Sequence, residues 1–230
     1  MLIGVPSEIK EQESRVGLTP ASVKELISHG HSVIVENNAG YGAGFDNSFY
    51  EHVGAKITST VSDVFNDSEM IIKVKEPLLN EVNMLRDNQI LFTYLHLAAS
   101  SKLTEGLLKS KAICIAYETV TDKNSKLPLL APMSAVAGRM SIQAGAHSLE
   151  KTQQGRGLLL GGAPGVNPAN VLILGGGVVG ENAAEIATGM KAEVTILDKS
   201  AQRLKKLQNK FGEMINPQQI DDIDLKALVK

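Results

Sequence analysis

VLILGGGVVGENAAEIATGMKAEVTILD, residues 171–198, is the stretch that decides the fold of this chain. It begins with an apolar run that predicts a buried strand, and it continues through three glycines in G-x-G-x-x-G register into a segment with helical spacing. A second apolar run follows and ends in an acid. A strand, a glycine turn, a helix and a second strand form a βαβ unit, so the stretch predicts a parallel sheet.

The glycines Gly175, Gly177 and Gly180 each have a physical role in such a turn. The first permits the sharp turn, the second lets backbone amides approach a pyrophosphate, and the third lets the helix pack closely on the strand. The helix then offers its N–H groups and its positive end to the phosphates. The stretch therefore favours a dinucleotide site, and the alternative is a glycine-rich turn in an ordinary α/β domain.

Asp198 ends the second apolar run, about 20 residues beyond the central glycine, which is where dinucleotide folds place an acid. A carboxylate there can accept hydrogen bonds from both ribose hydroxyls and would repel a 2′-phosphate. We therefore expect NAD, rather than NADP, as the cofactor.

The composition argues against several classes of protein. The chain has 230 residues with a formal net charge of −2, and it shows no basic stripe or aromatic platform, so we expect no nucleic-acid partner. No apolar run is long enough to cross a bilayer and the N-terminus is charged, so we expect a cytoplasmic protein without a membrane partner. No metal-ligand spacing or nucleophile elbow is present, and Cys114 is expected to be a buried, inert thiol.

The first half of the chain alternates short apolar runs with helical segments. Strands are predicted at LIGVP, SVIVE, MIIKVK, ILFTYL and AICIAY, and helices at PASVKELISHG, NSFYEHVG, LTEGLLKS and around residues 81–86. This repetition predicts an α/β fold with a parallel sheet that is covered by helices on both faces.

Polar side chains follow several of these strands. Arg15 lies in the long connection after the first strand, Lys75 closes MIIKVK and His96 closes ILFTYL. Parallel sheets bind ligands beyond the carboxyl ends of their strands, so the three residues suit a small carboxylate whose adjacent carbonyl is polarised and protonated. The alternatives are solvated surface charges for Arg15 and Lys75, and a partly buried histidine bonded to backbone for His96. Glu118 and Tyr94 are expected to be structural.

Residues 133–151 are predicted to form one long helix, with Pro132 at its start. The helix is rich in Ala, Met and Ser, which suits close packing against a neighbour, and it is expected to link two domains. The segment GRGLLLGGAPGVNPAN predicts a turn-rich, hairpin-like connection that leads into the glycine-turn strand.

Taken together, these segments resemble the alanine dehydrogenases. The resemblance extends to about residue 211 and is carried by IGVPSEIKEQESRVGLTP, IIKVKEP, LFTYLHLA, IAYETV, LLAPMSAVAGRM, LLLGGAPGV and VLILGGGVVGENAA. It implies two doubly wound, Rossmann-like α/β domains, with a substrate domain at residues 1–130. Residues 131–230 would form the linking helix and the first half of an NAD-binding domain, which would be incomplete. The implied reaction is the NAD-dependent, reversible oxidative deamination of L-alanine to pyruvate and ammonium.

The resemblance also implies a set of site residues. Arg15 would hold the substrate carboxylate, Lys75 would contact the substrate and polarise its carbonyl or imine, and His96 would be the general acid and base. The implied contacts to NAD are Ser134, Gly175, Gly177, Val178, Val179, Gly180, Asp198 and Arg203. No metal is implied, and the family forms homo-oligomers that are hexamers.

Two further functions stay open. The N-terminal NAD-binding part of the nicotinamide nucleotide transhydrogenase shares the same plan, so the chain could be a nucleotide-binding component that docks on a membrane partner.

Because the chain stops near the middle of a dinucleotide fold, we expect a truncated and poorly active form or part of a longer protein. A vestigial fragment that binds neither ligand well is the remaining alternative.

Overall fold

The computed structural model describes residues 1–220 of the chain. The chain divides into two compact units, Met1–Leu127 (unit 1) and Pro128–Lys230 (unit 2). Each unit is built on a parallel sheet with helices, which confirms the α/β class. Within the described residues, no helix combines the length and the apolar character that crossing a membrane requires.

Unit 1 contains six parallel strands. They are β1 (Leu2–Val5), β2 (Ser32–Glu36), β3 (Lys56–Thr58), β4 (Met70–Ile72), β5 (Ile90–Thr93) and β6 (Ile113–Ala116). The helices are α1 (Pro20–Ser28), α2 (Asn47–His52), α3 (Val61–Asp67), α4 (Leu79–Val82) and α5 (Ser101–Ser110). The strand order is β3-β2-β1-β4-β5-β6, so the direction of winding reverses between β1 and β4.

Both faces of this sheet are buried by helices. Successive residues of a strand point to opposite faces. Ile72 accordingly packs in one cluster with Val23 of α1, whereas Ile71 packs in another cluster with Phe65 of α3 and Leu103 of α5. The prediction of helices on both faces is therefore confirmed.

The strand β4 is shorter than the predicted run MIIKVK. It ends at Ile72 and not at Lys75, because the N–H of Val74 donates to the carboxylate of Glu8, at 2.6 Å, instead of to a neighbouring strand. Lys75 thus lies in the loop beyond the strand.

The strands β5 and β6 also end before their predicted limits. β5 ends at Thr93 because the N–H groups of Leu95 and His96 donate to the side chain of Glu118. β6 ends at Ala116, and a 3-10 turn follows it. Cys114 on this edge strand is half-buried rather than fully buried, and burial raises the pKa of its thiol.

The short helix α4 begins and ends earlier than the predicted residues 81–86. It begins at Leu79 because the carboxylate of Glu81 accepts a hydrogen bond from the N–H of Leu78, at 2.8 Å. Met84 and Leu85 then donate to the third residue before them, so tighter turns replace the α-helix. The pattern did not predict β3 and α3 at all.

Within residues 128–220, unit 2 is built on a second, smaller parallel sheet with helices. Its elements are the helix α6 (Ala131–Ser148), the strand β7 (Asn170–Leu174), the helix α7 (Val178–Gly189), the strand β8 (Glu193–Asp198), the helix α8 (Ala201–Phe211) and the strand β9 (Ile215–Gln219). The three strands are parallel in the order β7-β8-β9 and follow a βαβαβ path.

The long helix α6 covers residues 131–148 rather than 133–151. Pro132 lies in its first turn, as predicted, and the last turn closes early because Glu150 donates to the third residue before it. A Cβ on Gly138 would lie 2.2 Å from the carbonyl oxygen of Val179, so the small residues of α6 permit close packing against α7. The connection to β7 contains an antiparallel bridge between Ala163 and Val166, consistent with the predicted hairpin-like turns.

Candidate functional site

In unit 1, the predicted substrate residues follow neighbouring strands at the centre of the sheet. Arg15 lies in the connection after β1, Lys75 follows β4 and His96 follows β5. The winding reverses between β1 and β4, and ligands of such sheets bind in the crevice beyond the carboxyl ends of the strands at that point. The sheet order therefore brings the three loops together.

The guanidinium of Arg15 is held by a carboxylate of its own loop. Its Nε donates to Oε1 of Glu13 at 2.8 Å and its Nη2 donates to Oε2 at 2.5 Å, while the backbone N–H of Arg15 also donates to Oε1. These hydrogen bonds lower the pKa of Glu13 to about 2. The bidentate geometry fixes the orientation of the guanidinium.

Lys75 and Arg15 both interact electrostatically with the carboxylate of Glu13. Lys75 is half-buried, and its charge contributes to the low pKa of Glu13. The hydroxyl of Thr93 donates to the carbonyl oxygen of Lys75 at 2.8 Å, which ties this loop to the end of β5. Two cations thus lie near one another at this edge of the sheet.

His96 is connected to Arg15 through an aromatic ring. The ring of Tyr94 stacks on the imidazole with centroids 5.9 Å apart and an interplanar angle of 24°. Burial raises the pKa of Tyr94, and the positive charge of Arg15 opposes that rise. The guanidinium and the phenol therefore interact electrostatically. Arg15 is therefore linked to Lys75 through Glu13 and to His96 through Tyr94.

The backbone of His96 has a left-handed conformation with φ of 48°, which is uncommon for a residue other than glycine. Glu118 supports this conformation, because its carboxylate accepts the N–H groups of Leu95 at 3.1 Å and of His96 at 2.8 Å. The expectation that Glu118 is structural agrees with these contacts. The imidazole itself is exposed, and its Nδ1 lies 3.1 Å from Oε2 of Glu76.

A group of three buried charges lies directly behind the loop that carries Lys75. The ammonium of Lys73 lies 3.2 Å from Glu8 and 2.7 Å from Glu81, and the three side chains are only 1–2% exposed. Burial outweighs the attraction of Lys73 and raises the pKa of Glu8. Glu8 and Glu81 also accept the N–H groups of Val74 and Leu78, so these carboxylates fix both ends of the loop.

The pattern did not identify the glutamates of this site. Glu13 lies two residues before Arg15, and Glu76 follows Lys75 directly. An acid within two residues of each candidate cation was the available signal. Lys73 is fully buried whereas the similar Lys75, two residues later, is half-buried, and the local pattern gave no sign of this difference.

In unit 2, the glycine turn has the geometry that its residues predict. Gly175 has φ of +93°, and a Cβ on Gly180 would lie 1.9 Å from the carbonyl oxygen of Gly175, so α7 packs directly on the turn. A Cβ on Gly177 would meet no atom within 4 Å. Gly177 precedes α7, and no side chain caps the N-terminus of this helix. The open side of the turn can thus receive an anion at the helix N-terminus.

A cavity of about 790 Å³ borders this turn, and its volume is in the range of small-molecule sites. Its walls are the strand β7, the helix α6 and the first turn of α7. Six of the eight predicted cofactor residues line it, namely Ser134, Gly175, Gly177, Val178, Val179 and Gly180. Among residues 1–220, no group of three or more His, Cys, Asp or Glu side chains is placed to hold a metal.

The other two predicted cofactor residues contact the backbone of the turn. Asp198 accepts the N–H of Ser200 at 2.8 Å and of Gly176 at 2.7 Å, and these hydrogen bonds lower the pKa of its carboxyl. Arg203 donates through Nε to the carbonyl oxygen of Gly176 and forms an ion pair with Glu181. Asp198 is therefore a fixed carboxylate at the end of β8, and Arg203 holds the turn.

Comparisons with known proteins agree with both halves of this description. The family described as "Alanine dehydrogenase/PNT, N-terminal domain" matches residues 4–137, and "Alanine dehydrogenase/PNT, C-terminal domain" matches residues 141–230. The alanine dehydrogenase of Halomonas elongata is 58% identical over 211 residues, which are 92% of this chain and 57% of that protein.

Two solved structures are similar in fold. An L-alanine dehydrogenase superposes with a TM-score of 0.89 and 51% identity, over 96% of this chain and 61% of that one. The transhydrogenase from Sinorhizobium meliloti gives a TM-score of 0.79 at 21% identity, over 96% of this chain and 62% of that one, and this likeness shows the fold alone. The chain spans about 60% of the length of its relatives, and with both domain descriptions matched in order it belongs to the alanine dehydrogenase/PNT family.

Proposed function

We propose that this chain carries the substrate site and the nucleotide-binding half of an NAD-dependent L-alanine dehydrogenase. The reaction is the reversible oxidative deamination of L-alanine to pyruvate and ammonium. The observation that supports the proposal is that Arg15, Lys75 and His96 follow the neighbouring strands β1, β4 and β5 around the reversal point of the sheet, in a chain 58% identical to an alanine dehydrogenase. Residues 1–130 are assigned to the substrate domain and residues 131–230 to the linking helix and the NAD-binding half.

The chemistry of the three side chains suits this substrate. Arg15 binds the carboxylate that alanine and pyruvate share, and Glu13 keeps its guanidinium oriented. Lys75 places a positive charge at the carbonyl or imine, which polarises that carbon. His96 moves protons as water adds to the imine and ammonium leaves, through Nε2, the ring nitrogen that does not face Glu76.

The residues of unit 2 fit the phosphate and ribose groups of NAD. The open side of Gly177 and the uncapped N-terminus of α7 suit a pyrophosphate, and the carboxylate of Asp198 suits two ribose hydroxyls. Ser134 and the pair Val178 and Val179 line the adjoining cavity. These residues would hold NAD, which would supply the acceptor for the hydride of the substrate carbon.

Small molecules are the partners under this proposal, which places the protein in the cytoplasm as a homo-oligomer without a nucleic-acid or membrane partner. A transhydrogenase-like nucleotide-binding component is less well supported, because the similarity to the solved transhydrogenase extends to the fold alone. The side chains of Arg15, Lys75 and His96 have a use in an alanine dehydrogenase, and a pure nucleotide-binding component leaves them without one.

Calorimetric titration of the chain with NAD and NADP tests the nucleotide half of the proposal. We expect tighter binding of NAD, and Asp198→Ser should reduce that preference by roughly 1–3 kcal/mol, the usual scale for losing a charge-assisted hydrogen bond. Glu193→Gln, at the other end of β8, is the matched control and should leave the preference unchanged. NADP that binds the unmodified chain as tightly as NAD would refute the assignment of Asp198.

Pyruvate binding tests the substrate half. Ligand-observed NMR should detect pyruvate on the chain and should lose the signal in Arg15→Lys, because an ammonium cannot reproduce the planar bidentate geometry. Lys56→Gln, at an exposed position on the edge strand β3, is the control for a change of one surface charge. Binding that survives Arg15→Lys unchanged would remove Arg15 from the site.

A further inference from the structure

Glu76 links the imidazole of His96 to a lysine of a different loop. Its Oε2 lies 3.1 Å from Nδ1 of His96, and its Oε1 pairs with Nζ of Lys10. The carboxylate is 18% exposed, whereas the side chains of His96 and Lys10 are 49% and 39% exposed. The acid is therefore the best-buried member of the three, and both of its oxygens are engaged.

An ionised carboxylate can only accept hydrogen bonds. Burial alone would raise the pKa of Glu76, but hydrogen bonds from Lys10, from its own backbone N–H and from His96 together lower that pKa. Glu76 is thus ionised, and the ring nitrogen that faces it must carry a hydrogen. A neutral imidazole has one N–H, so when Nδ1 carries it the lone pair is on Nε2.

The remaining contacts of His96 fix its position without choosing between its two ring nitrogens. Glu118 holds the backbone N–H, and Tyr94 stacks on the face of the ring. The chain contains a useful contrast in His147, whose Nδ1 lies 3.4 Å from Glu150 with both side chains more than half exposed. Because water competes for the hydrogen bond between His147 and Glu150, this contact should have little influence on the tautomer of His147.

We propose that Glu76 is a positioning residue that holds His96 as the Nδ1–H tautomer, with Lys10 as the anchor of Glu76. Nε2 is then the nitrogen that exchanges protons with the substrate. This use of Nε2 rests on the proposed function, whereas the tautomer itself is a property of the chain alone. The general logic is that the hydrogen bond at one ring nitrogen decides the chemistry of the other.

Nitrogen-15 NMR of histidine-labelled chain measures this tautomer directly. The five histidines are distinguished by the loss of one signal set in His96→Asn, and spectra are taken at a pH where the imidazoles are neutral. The neutral histidine side chain in water favours the Nε2–H form. We expect His96 to favour the Nδ1–H form instead. Glu76→Met and Glu76→Ala, which remove the acceptor, should return it to the form that water favours, and Lys10→Met should move it part of the way.

Two controls separate the ring contact from general effects on structure. Glu118→Gln changes the support of the backbone of His96 and should leave the tautomer as it is, and Glu150→Gln should leave His147 as it is. Backbone amide spectra report whether each variant is folded, and Glu76→Met, which keeps the length of the side chain without its acceptor oxygens, decides the question if Glu76→Ala unfolds the chain.

An Nε2–H preference of His96 in the unmodified chain would overturn the inference, as would a tautomer that is the same with and without the carboxylate. Failure of the proposed function gives a different result. In that case pyruvate does not bind the unmodified chain, while the tautomer still depends on Glu76. Pyruvate binding together with a tautomer that ignores Glu76 would refute the positioning role alone.

Discussion

Glutamates orient two of the proposed functional side chains of unit 1. Glu13 binds the guanidinium of Arg15 through two hydrogen bonds, and Glu76 faces Nδ1 of His96. Long side chains lose conformational entropy when a ligand orders them, and a side chain that its neighbours already hold loses less at that moment. The glutamates therefore hold these side chains in place before a ligand arrives.

The ion pair of Glu13 and Arg15 predicts a pH dependence of stability. Arg15 lowers the pKa of Glu13 from 4.5 to about 2 in the folded chain. A depressed pKa means that the pair stabilises the fold fully above about pH 4.5 and that this contribution disappears as the pH falls towards 2. The difference in unfolding free energy between the unmodified chain and Glu13→Gln should shrink across that window.

Urea unfolding at a series of pH values measures this difference. Glu11→Gln, at an exposed position two residues earlier, is the matched control. A difference that is as large at pH 2 as at neutral pH would show that Glu13 acts on stability through something other than its charge.

At the scale of elements, buried charges fix the loop between β4 and α4. Lys73 lies between Glu8 and Glu81, and these two carboxylates accept N–H groups at both ends of the loop. The half-buried side chains of Lys75 and Glu76 are thus carried by a backbone that buried groups hold in place. Buried ion pairs of this kind often add little net stability, because desolvation of the charges offsets their attraction. Their main effect here is to fix the conformation of the loop.

Lys73→Met should destabilise unit 1 by about 3–5 kcal/mol, because it leaves two buried carboxylates without their cation. Adding Glu8→Gln to Lys73→Met should recover part of the loss, since one uncompensated charge is removed. Lys75→Met is the control, and it should cost less than about 1 kcal/mol because Lys75 is half-exposed. Chemical denaturation measures all three, and equal costs for Lys73→Met and Lys75→Met would contradict the role of the buried group.

The helix α6 contains a matched pair of glycines that separates packing from helix propensity. A Cβ on Gly138 would lie 2.2 Å from the carbonyl oxygen of Val179, whereas a Cβ on Gly145 would meet no atom within 4 Å. Gly138→Ala should therefore destabilise unit 2 by about 1–3 kcal/mol through overpacking. Gly145→Ala should stabilise it by about 0.5–1 kcal/mol, since alanine favours a helix. Thermal unfolding of both variants gives the comparison, and the same sign for both would contradict the close approach of α6 to α7.

The elements that sequence could predict are those with a strong local pattern. Apolar runs marked the strands β1 and β2, and helical spacing marked α1 and α2, whose N-termini are capped by the side chains of Thr19 and Asp46. β3 has three residues and α3 is rich in polar residues, so neither has a pattern that stands out locally. Strand ends were overestimated, because they depend on side chains that are distant in the sequence, such as Glu8 and Glu118.

The candidate site also has a part that the sequence could predict and a part that it could not. Arg15, Lys75 and His96 could be predicted because each follows an apolar run and because the order of a parallel sheet brings such positions together. Their partners could not be predicted as contacts. Lys10 and Glu76 are 66 residues apart, and only the folded sheet places them side by side.

At the scale of the whole molecule, apolar side chains remain at one edge of the unit 1 sheet. β6 is an edge strand, and Ile113, Ile115 and Leu108 are 48%, 37% and 74% exposed. Exposed apolar groups and an unpaired strand edge favour contact with another chain. These features agree with the homo-oligomer of the proposed function.

Light scattering coupled to size exclusion should therefore give a mass that is a multiple of the protomer mass. The expected result is one defined species that does not change on moderate dilution, since closed symmetric assemblies have a fixed number of subunits. A monomer at working concentration would contradict the prediction, and a mass that grows steadily with concentration would indicate open-ended aggregation instead.

The glycine turn of unit 2 also determines how its sequence tolerates change under selection. At Gly180 any side chain would strike the carbonyl oxygen of Gly175, so a library selected only for folded protein should retain glycine there without any nucleotide present. At Gly177 the backbone is extended and a Cβ meets nothing, so the same library should accept alanine or serine. A second library selected for nucleotide binding should lose that tolerance at Gly177 alone. Selection would thus retain Gly180 because the fold requires glycine there, and it would retain Gly177 because nucleotide binding requires glycine there.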